Sequence, residues 1–580
     1  MSDLGAPLPQ GAQQGSTDTA GTATKAAPNH LRKVAIVILV VAVALRLYEV
    51  VQGYLTPFYP YQDEEAEVHR TLRLASGDLR PIFSNWGALP SYLLFFVYGL
   101  VYLGGRVLGS FSGTDDYLRL YITDPRFFIL VGQLFYCIAG SALIFLVWKF
   151  ARRDFGEKAG FLCLAIFAFL PPSVEYSRIV KPDILGVFLG YLSLYLVTHV
   201  GTDQDGKPPT VARIAWAGLA LGVAVGTKLS LAPLGLGFLL ALLLSSKTGR
   251  LRTLVTASAA VALGYVICNP FSVLTPGSWW FGEYGLFNIP GVGRVEPRKM
   301  QYASMHTPFD TLSTATGGPI LAGAVLVATP IGFFLRSRVA AVLAATTMAY
   351  AAIFLSLPWF LPGHLLPVLP AAALLSGACI DAASKGLRQG PGTGACILAV
   401  VILVAQPSSR AFADARQFSI PDSQEESKNW ITANIPEGSH VLVDCWYVPR
   451  LNRSRQDIEA ELSGPSPVSS ARGEYLRRLL RLDLHPAYRI TVLSHRLRST
   501  QRPEEQSHFN LQEYKEAGAT FAVTSSGWTC RFFSPPFLPE DDGVRRFYEE
   551  LRRTGTLLAR FAPEDGRMIG PTIEVYRLTP

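Results

Sequence analysis

Four stretches of the chain carry residue types that could do chemistry. The densest is Tyr61-Gln62-Asp63-Glu64-Glu65-Ala66-Glu67-Val68-His69-Arg70, closed by Gly77-Asp78-Leu79-Arg80-Pro81. Carboxylates placed just after an apolar run are partly desolvated, which raises a carboxyl pKa and makes a general base. Asp63 is the candidate base, with Glu64 beside it. The same acids also suit the first turn of a helix, whose dipole favours negative charge. The second stretch runs from Pro171 to Asp183 and places Glu175, Arg178, Lys181 and Asp183 within nine residues. Two neighbouring cations, Arg178 and Lys181, suit a phosphate, while Asp183 suits either a site carboxylate or a helix N-cap. The third is Lys228, in Gly226-Thr227-Lys228, between two apolar runs where a charge must pair or snorkel. The fourth is His364, in Pro362-Gly363-His364-Leu365-Leu366-Pro367, which fits a ligand role as readily as a neutral core histidine. Asp63, Glu64 and Asp183 could also hold a divalent metal, but nothing in the sequence requires one, and no Cys/His spacing matches a zinc site.

The elements that must position these residues lie in a lipid-embedded chain. Of 580 residues, 49% are hydrophobic and 17% charged, against roughly 25% charged in an ordinary soluble domain. The last 175 residues hold 23 basic and 23 acidic groups; the first 405 hold 29 and 21, and with them the whole net charge of +8. This excess fits cytoplasmic loops of a membrane protein rather than a nucleic-acid-binding face. Residues 1–30 read as a disordered cytoplasmic tail, 31–405 as the membrane domain and 406–580 as an extracytoplasmic soluble α/β domain. In that last domain helices are expected from Ser423, from Leu511 and at Val544–Thr554, and strands at His440–Val448, Tyr488–Leu493, Thr520–Thr524 and Thr572–Leu578. Five of the seven cysteines fall in apolar runs; Cys445 and Cys530 lie in the C-terminal part and could pair there.

Apolar runs begin at Val34–Val51 and continue near 88–108, 127–148, 159–176, 184–200, 212–227, 229–246, 253–268, 317–335, 339–357, 364–383 and 394–405. Short basic loops follow at Lys149/Arg152/Arg153/Lys158, Lys207/Arg213, Lys247/Arg250/Arg252, Arg336/Arg338 and Lys385/Arg388. They share one side with a cytoplasmic N-terminus only if 88–108 does not cross, so Leu89–Val107 is expected to lie in the outer interface and about 11 spans remain. Segments 53–126, about 269–316 and everything after 405 then lie outside, with every candidate residue.

In this order and sidedness, the motifs resemble those of the GT-C superfamily of polytopic glycosyltransferases, and most closely the glycosyltransferase family 39 and ArnT-like group, which includes the protein O-mannosyltransferases. The resemblance rests on an Asp-Glu pair after the first span, a Gly-Asp some dozen residues on, a Pro leading an apolar interface helix, Arg...Pro-Asp at the fourth span, Gly-Thr-Lys after the fifth, and a Leu-Pro-rich start to the tenth. It implies a GT-C fold in the cell membrane and an inverting transfer of a sugar from a polyprenyl-phosphate donor to an extracytoplasmic acceptor, which could be a protein, a lipid or an envelope glycan. Asp63 would then be the base, supported by Glu64, and Lys228 would hold the donor phosphate with Arg178, Lys181 and His364 near it. No cofactor is firmly implied. The chain departs from many relatives in having His364 where they carry Arg or Lys, and Ala88-Leu89-Pro90 where they carry Lys-Pro. A transporter or flippase of lipid-linked sugars is the alternative; it would place charges near the bilayer midplane rather than at the outer ends of spans.

Overall fold

The computed structural model describes residues 29–56, 62–80, 86–199, 211–245, 249–282, 285–288, 307–356, 362–385, 391–444, 447–464, 470–493, 509–533, 542–564 and 566–578. Residues 1–28 of the N-terminal tail, Lys207, Lys247, Arg388 and Cys445 lie outside these residues. The first part is a helical bundle: α1 (Asn29–Leu55), α2 (Gln62–Arg73), α3 (Ala88–Val107), α4 (Thr114–Thr123), α5 (Arg126–Phe155), α6 (Glu157–Ala168), α7 (Pro171–Glu175), α8 (Asp183–Val197), α9 (Val211–Thr227), α10 (Leu234–Ser245) and α11 (Arg250–Cys268). It continues through helices Pro308–Thr316, Pro319–Ile331, Arg338–Ser356, Leu369–Lys385 and Pro391–Gln417. Among the described residues, four helices are long and apolar enough to cross a membrane, or five if the bent pair Pro308–Thr316 and Pro319–Ile331 counts as one span. That pair turns by 107° at Gly317, whose φ of +79° is open to glycine at no steric cost.

Small residues let the helices meet closely. A Cβ added to Gly222 of α9 would lie 2.0 Å from the Val261 carbonyl oxygen of α11, and one added to Gly264 would lie 2.4 Å from the Leu219 oxygen. Backbone contact of this kind replaces the hydrophobic drive that lipid cannot supply.

The course of α3 is informative. Its midpoint touches the first turn of α5, with the Tyr98 hydroxyl donating to the Phe128 carbonyl at 2.8 Å. Its far end packs through Tyr102 on Phe111 and Tyr117, and Tyr117 in turn lies 4.9 Å from Phe128. Gln133, also in the first turns of α5, reaches Glu64 of α2 at 3.0 Å. The middle and the far end of α3 therefore both meet the end of the bundle where α5 begins, while α3 has the length and apolarity of a span.

Among the described residues after Gln417 the chain forms a six-stranded sheet of β1 (His440–Val443), β2 (Asn452–Arg453), β3 (Ala487–Val492), β4 (Phe521–Ser525), β5 (Thr556–Phe561) and β6 (Ile573–Arg577), in the order β2-β3-β1-β4-β6-β5. β1 pairs in parallel with β3 and β4, and β6 runs antiparallel to both β4 and β5. Separate apolar clusters cover the two faces, one around Phe547, Tyr548 and Leu551 and the other around Ile431, Tyr488 and Val575. β2, β5 and the helices Arg455–Ser463, Ser470–Leu482 and Ser526–Phe533 go beyond the elements read from the sequence. β2 is only two residues long and β5 is largely exposed with a bulge, so neither shows a buried alternating pattern.

A candidate acid–cation site at one end of the bundle

The loop from Leu170 to Asp183 carries much of the site, and it is held from both sides. Arg46, fully buried in α1, donates from Nε to Ser177 Oγ at 3.1 Å, from Nη2 to Ser173 Oγ at 3.0 Å and from Nη1 to the Ala168 carbonyl at 3.1 Å. From the other side, Glu64 Oε1 accepts from the Val180 amide at 2.9 Å and from Gln133 Nε2 at 3.0 Å. Burial pushes the Glu64 carboxyl above its ordinary range, while these two hydrogen bonds and the nearby Arg178 and Lys181 pull against that shift. Glu64 thus acts on the loop that presents Lys181.

Two acid–cation pairs result. Asp63, half-exposed in the first turn of α2, lies 2.5 Å from Lys181 Nζ. Burial disfavours the Lys181 ammonium, but the carboxylates of Asp63 and Asp183 outweigh it and raise its pKa. Asp183, buried at the start of α8, pairs with Lys228 at the end of α9. His364 lies within electrostatic reach of Asp183. Trp86 stands among these groups: Lys181 Nζ is 5.6 Å and the Arg70 guanidinium 5.0 Å from its ring centroid, and its backbone forms an antiparallel bridge with Lys228. Cations near an indole ring are attracted by its quadrupole.

Asp63, Lys181, Asp183, Lys228 and His364 are therefore brought to one place. Arg178 is not beside Lys181 in this arrangement. Its Nε lies 3.0 Å from Glu49 Oε2 of α1 and its guanidinium 4.1 Å from the Phe418 ring centroid. Three residues of separation in a loop, rather than on a helix face, turned it toward the buried acid. Nor do Asp63, Glu64 and Asp183 converge on a common point: each is engaged by a different partner, and among the described residues no group of three or more His, Cys, Asp or Glu could hold a metal ion.

Sequence reading missed Arg46, Glu49, Trp86 and Asn269. Arg46 and Glu49 carried a usable signal, because ionisable residues inside an apolar run of this length demand a partner. Trp86 and Asn269 matter through backbone contacts that no local pattern announces. The C-terminal part also reaches this end: Arg450 lies 2.7 Å from Glu65 of α2, Arg478 lies 2.5 Å from Asp115 of α4, and Tyr475 packs edge-on against His69.

Residues 127–274 match the profile of the family described as dolichyl-phosphate-mannose-protein mannosyltransferase. Solved structures are similar over most of the chain, among them the following two. ArnT from Cupriavidus metallidurans in the apo state shares 16% identity, covering 94% of this chain and 98% of its own, with a TM-score of 0.50. The Archaeoglobus fulgidus oligosaccharyltransferase AglB, in complex with an inhibitory peptide and a dolichol-phosphate, shares 12% identity, covering 87% of this chain and 70% of its own, with a TM-score of 0.51. No curated protein matches the chain by sequence.

Proposed function

From the GT-C glycosyltransferase fold that this chain has, we propose that it is an inverting glycosyltransferase of the cell membrane, moving a sugar from a polyprenyl-phosphate donor to an extracytoplasmic protein, lipid or envelope-glycan acceptor. The observation that carries this reading is the pairing of Asp63 with Lys181 and of Asp183 with Lys228 at one end of the bundle. In the transfer, the acceptor hydroxyl or amine attacks the anomeric carbon from the face opposite the phosphate. The bond from that carbon to the phosphate oxygen breaks, its electron pair leaves with the phosphate, and the acceptor proton passes to Asp63. Lys228 compensates the charge that grows on the departing phosphate. Lys181 orients the Asp63 carboxylate, and Glu64 holds the loop that carries Lys181.

The same reading places Asn29 in the cytoplasm and the C-terminal domain outside, with eleven crossings. Its support is the return of successive helices to the same end, at Asp63, Lys181, Lys228, His364 and Phe418, together with the contact of the middle and far end of α3 with the start of α5. The clustering of ionisable groups at that end, rather than at mid-depth, favours transfer over transport. The test is to incubate the purified full chain in nanodiscs with a panel of radiolabelled polyprenyl-phosphate sugars and envelope extract. Label is expected in an acceptor with inverted anomeric configuration. Translocation of the lipid across proteoliposomes without any transfer would overturn the proposal.

A further inference from the structure

We infer that Asn269, at the end of α11, is the positioning residue for Lys228, and that its side-chain amide sets where the Lys228 ammonium stands. The inference deepens the reading above and rests on it where Lys228 is taken as the phosphate cation. Asn269 is buried, with 1% of its surface exposed. Its Oδ1 accepts from the Ala88 amide at 3.0 Å, and its Nδ2 donates to the Gly226 carbonyl at 2.8 Å. One side chain therefore joins the first residue of α3 to the last turn of α9, using both an acceptor and a donor at a fixed spacing; aspartate offers only the acceptor when ionised, and leucine neither.

The joined segments are in backbone contact. The Gly87 amide donates to the Thr227 carbonyl at 3.0 Å, and Trp86 bridges Lys228. A Cβ on Gly87 would fall 2.0 Å from the Gly226 carbonyl oxygen, and one on Gly226 would fall 2.7 Å from Cys268 Cβ. Lys228 sits at φ −154° and ψ 121°, an extended conformation at the end of a helix. No proline ends the helix there, since the next one is Pro233. The neighbouring strand-like segment that Asn269 ties to α9 bridges Lys228 in this extended conformation, and from that backbone its side chain reaches Asp183.

The test uses the full chain in nanodiscs, with Asn269→Leu, Asn269→Asp, Lys228→Ala and the double variant Asn269→Leu/Lys228→Ala. The first measurement needs no substrate: the rate at which an amine-reactive ester acylates Lys228, read by peptide mass spectrometry and normalised to the exposed Lys385. It is expected to rise several-fold in Asn269→Leu and less in Asn269→Asp, which keeps the Ala88 bond. The second is donor kinetics: the apparent KM for the polyprenyl-phosphate sugar is expected to rise roughly tenfold in Asn269→Leu, with kcat changed far less and no further rise in the double variant over Lys228→Ala. Unchanged Lys228 acylation in both folded Asn269 variants would overturn the inference, and so would KM effects that simply add. Faster acylation with unchanged KM in Lys228→Ala would leave Asn269 as the positioning residue and remove Lys228 from the phosphate site. If Asn269→Leu does not fold, Asn269→Asp carries both measurements.

Discussion

Asp63 and Glu64 are neighbours in sequence with opposite surroundings, and their substitutions should differ accordingly. Asp63 is half-exposed and faces Lys181; Glu64 is buried and accepts two hydrogen bonds on a single oxygen. Asp63→Asn removes a base while keeping shape, so turnover is expected to fall by about two to four orders of magnitude, the usual scale for loss of general-base catalysis. Glu64→Gln keeps the accepting oxygen and resembles the neutral acid that burial favours, so turnover within roughly tenfold of the parent is expected. Steady-state rates at saturating donor decide both. A larger loss in Glu64→Gln than in Asp63→Asn would exchange the two roles.

At the scale of elements, the approach of the Trp86–Ala88 segment to the end of α9 leaves no room for a side chain at position 87. Gly87 has φ −62°, which alanine adopts freely, so the penalty of Gly87→Ala is purely the clash of its Cβ with backbone. Thermal melting should show Gly87→Ala clearly destabilised and donor use impaired. Gly99→Ala, in α3 with open space around it, should be neutral or stabilise by about 0.5–1 kcal/mol.

In the C-terminal sheet, Asp444 follows β1 and is fully buried; it accepts from the Ser525 amide at 2.7 Å and from the Tyr548 hydroxyl. Burial pushes its carboxyl up to about 7, against the pull of these hydrogen bonds. The folded state therefore binds this proton more tightly than the unfolded chain. The stability it contributes is present below the ordinary carboxyl pKa and lost as pH rises through about 7. Melting curves of the parent should weaken between pH 5 and pH 8 by on the order of 2–4 kcal/mol more than those of Asp444→Asn. Parallel loss in both chains would mean that Asp444 is already ionised when folded.

For the whole molecule, the position of α3 decides the sidedness of every later segment. In a background with the seven native cysteines replaced, a cysteine at Thr114 should react with a membrane-impermeant reagent added outside intact cells, and one at Lys158 only after permeabilisation. Protection of position 114 from outside would invert the proposed topology.

Sequence alone was sufficient for the apolar runs and for the candidate acids and cations, and the spacing of its basic loops is what raises the expectation that Leu89–Val107 does not cross. These follow from hydropathy and charge, which are local sums along the chain. Partner choice was not available from it. Lys228 meets Asp183 across 45 residues and Asn269 meets Ala88 across 181, while Arg178 meets Glu49 rather than standing beside Lys181. Coulomb attraction has no directional preference that would select one acid among several. The selection comes from where backbones can touch, through Gly87 against Gly226 and through the loop held by Arg46, and those contacts exist only once the helices have packed.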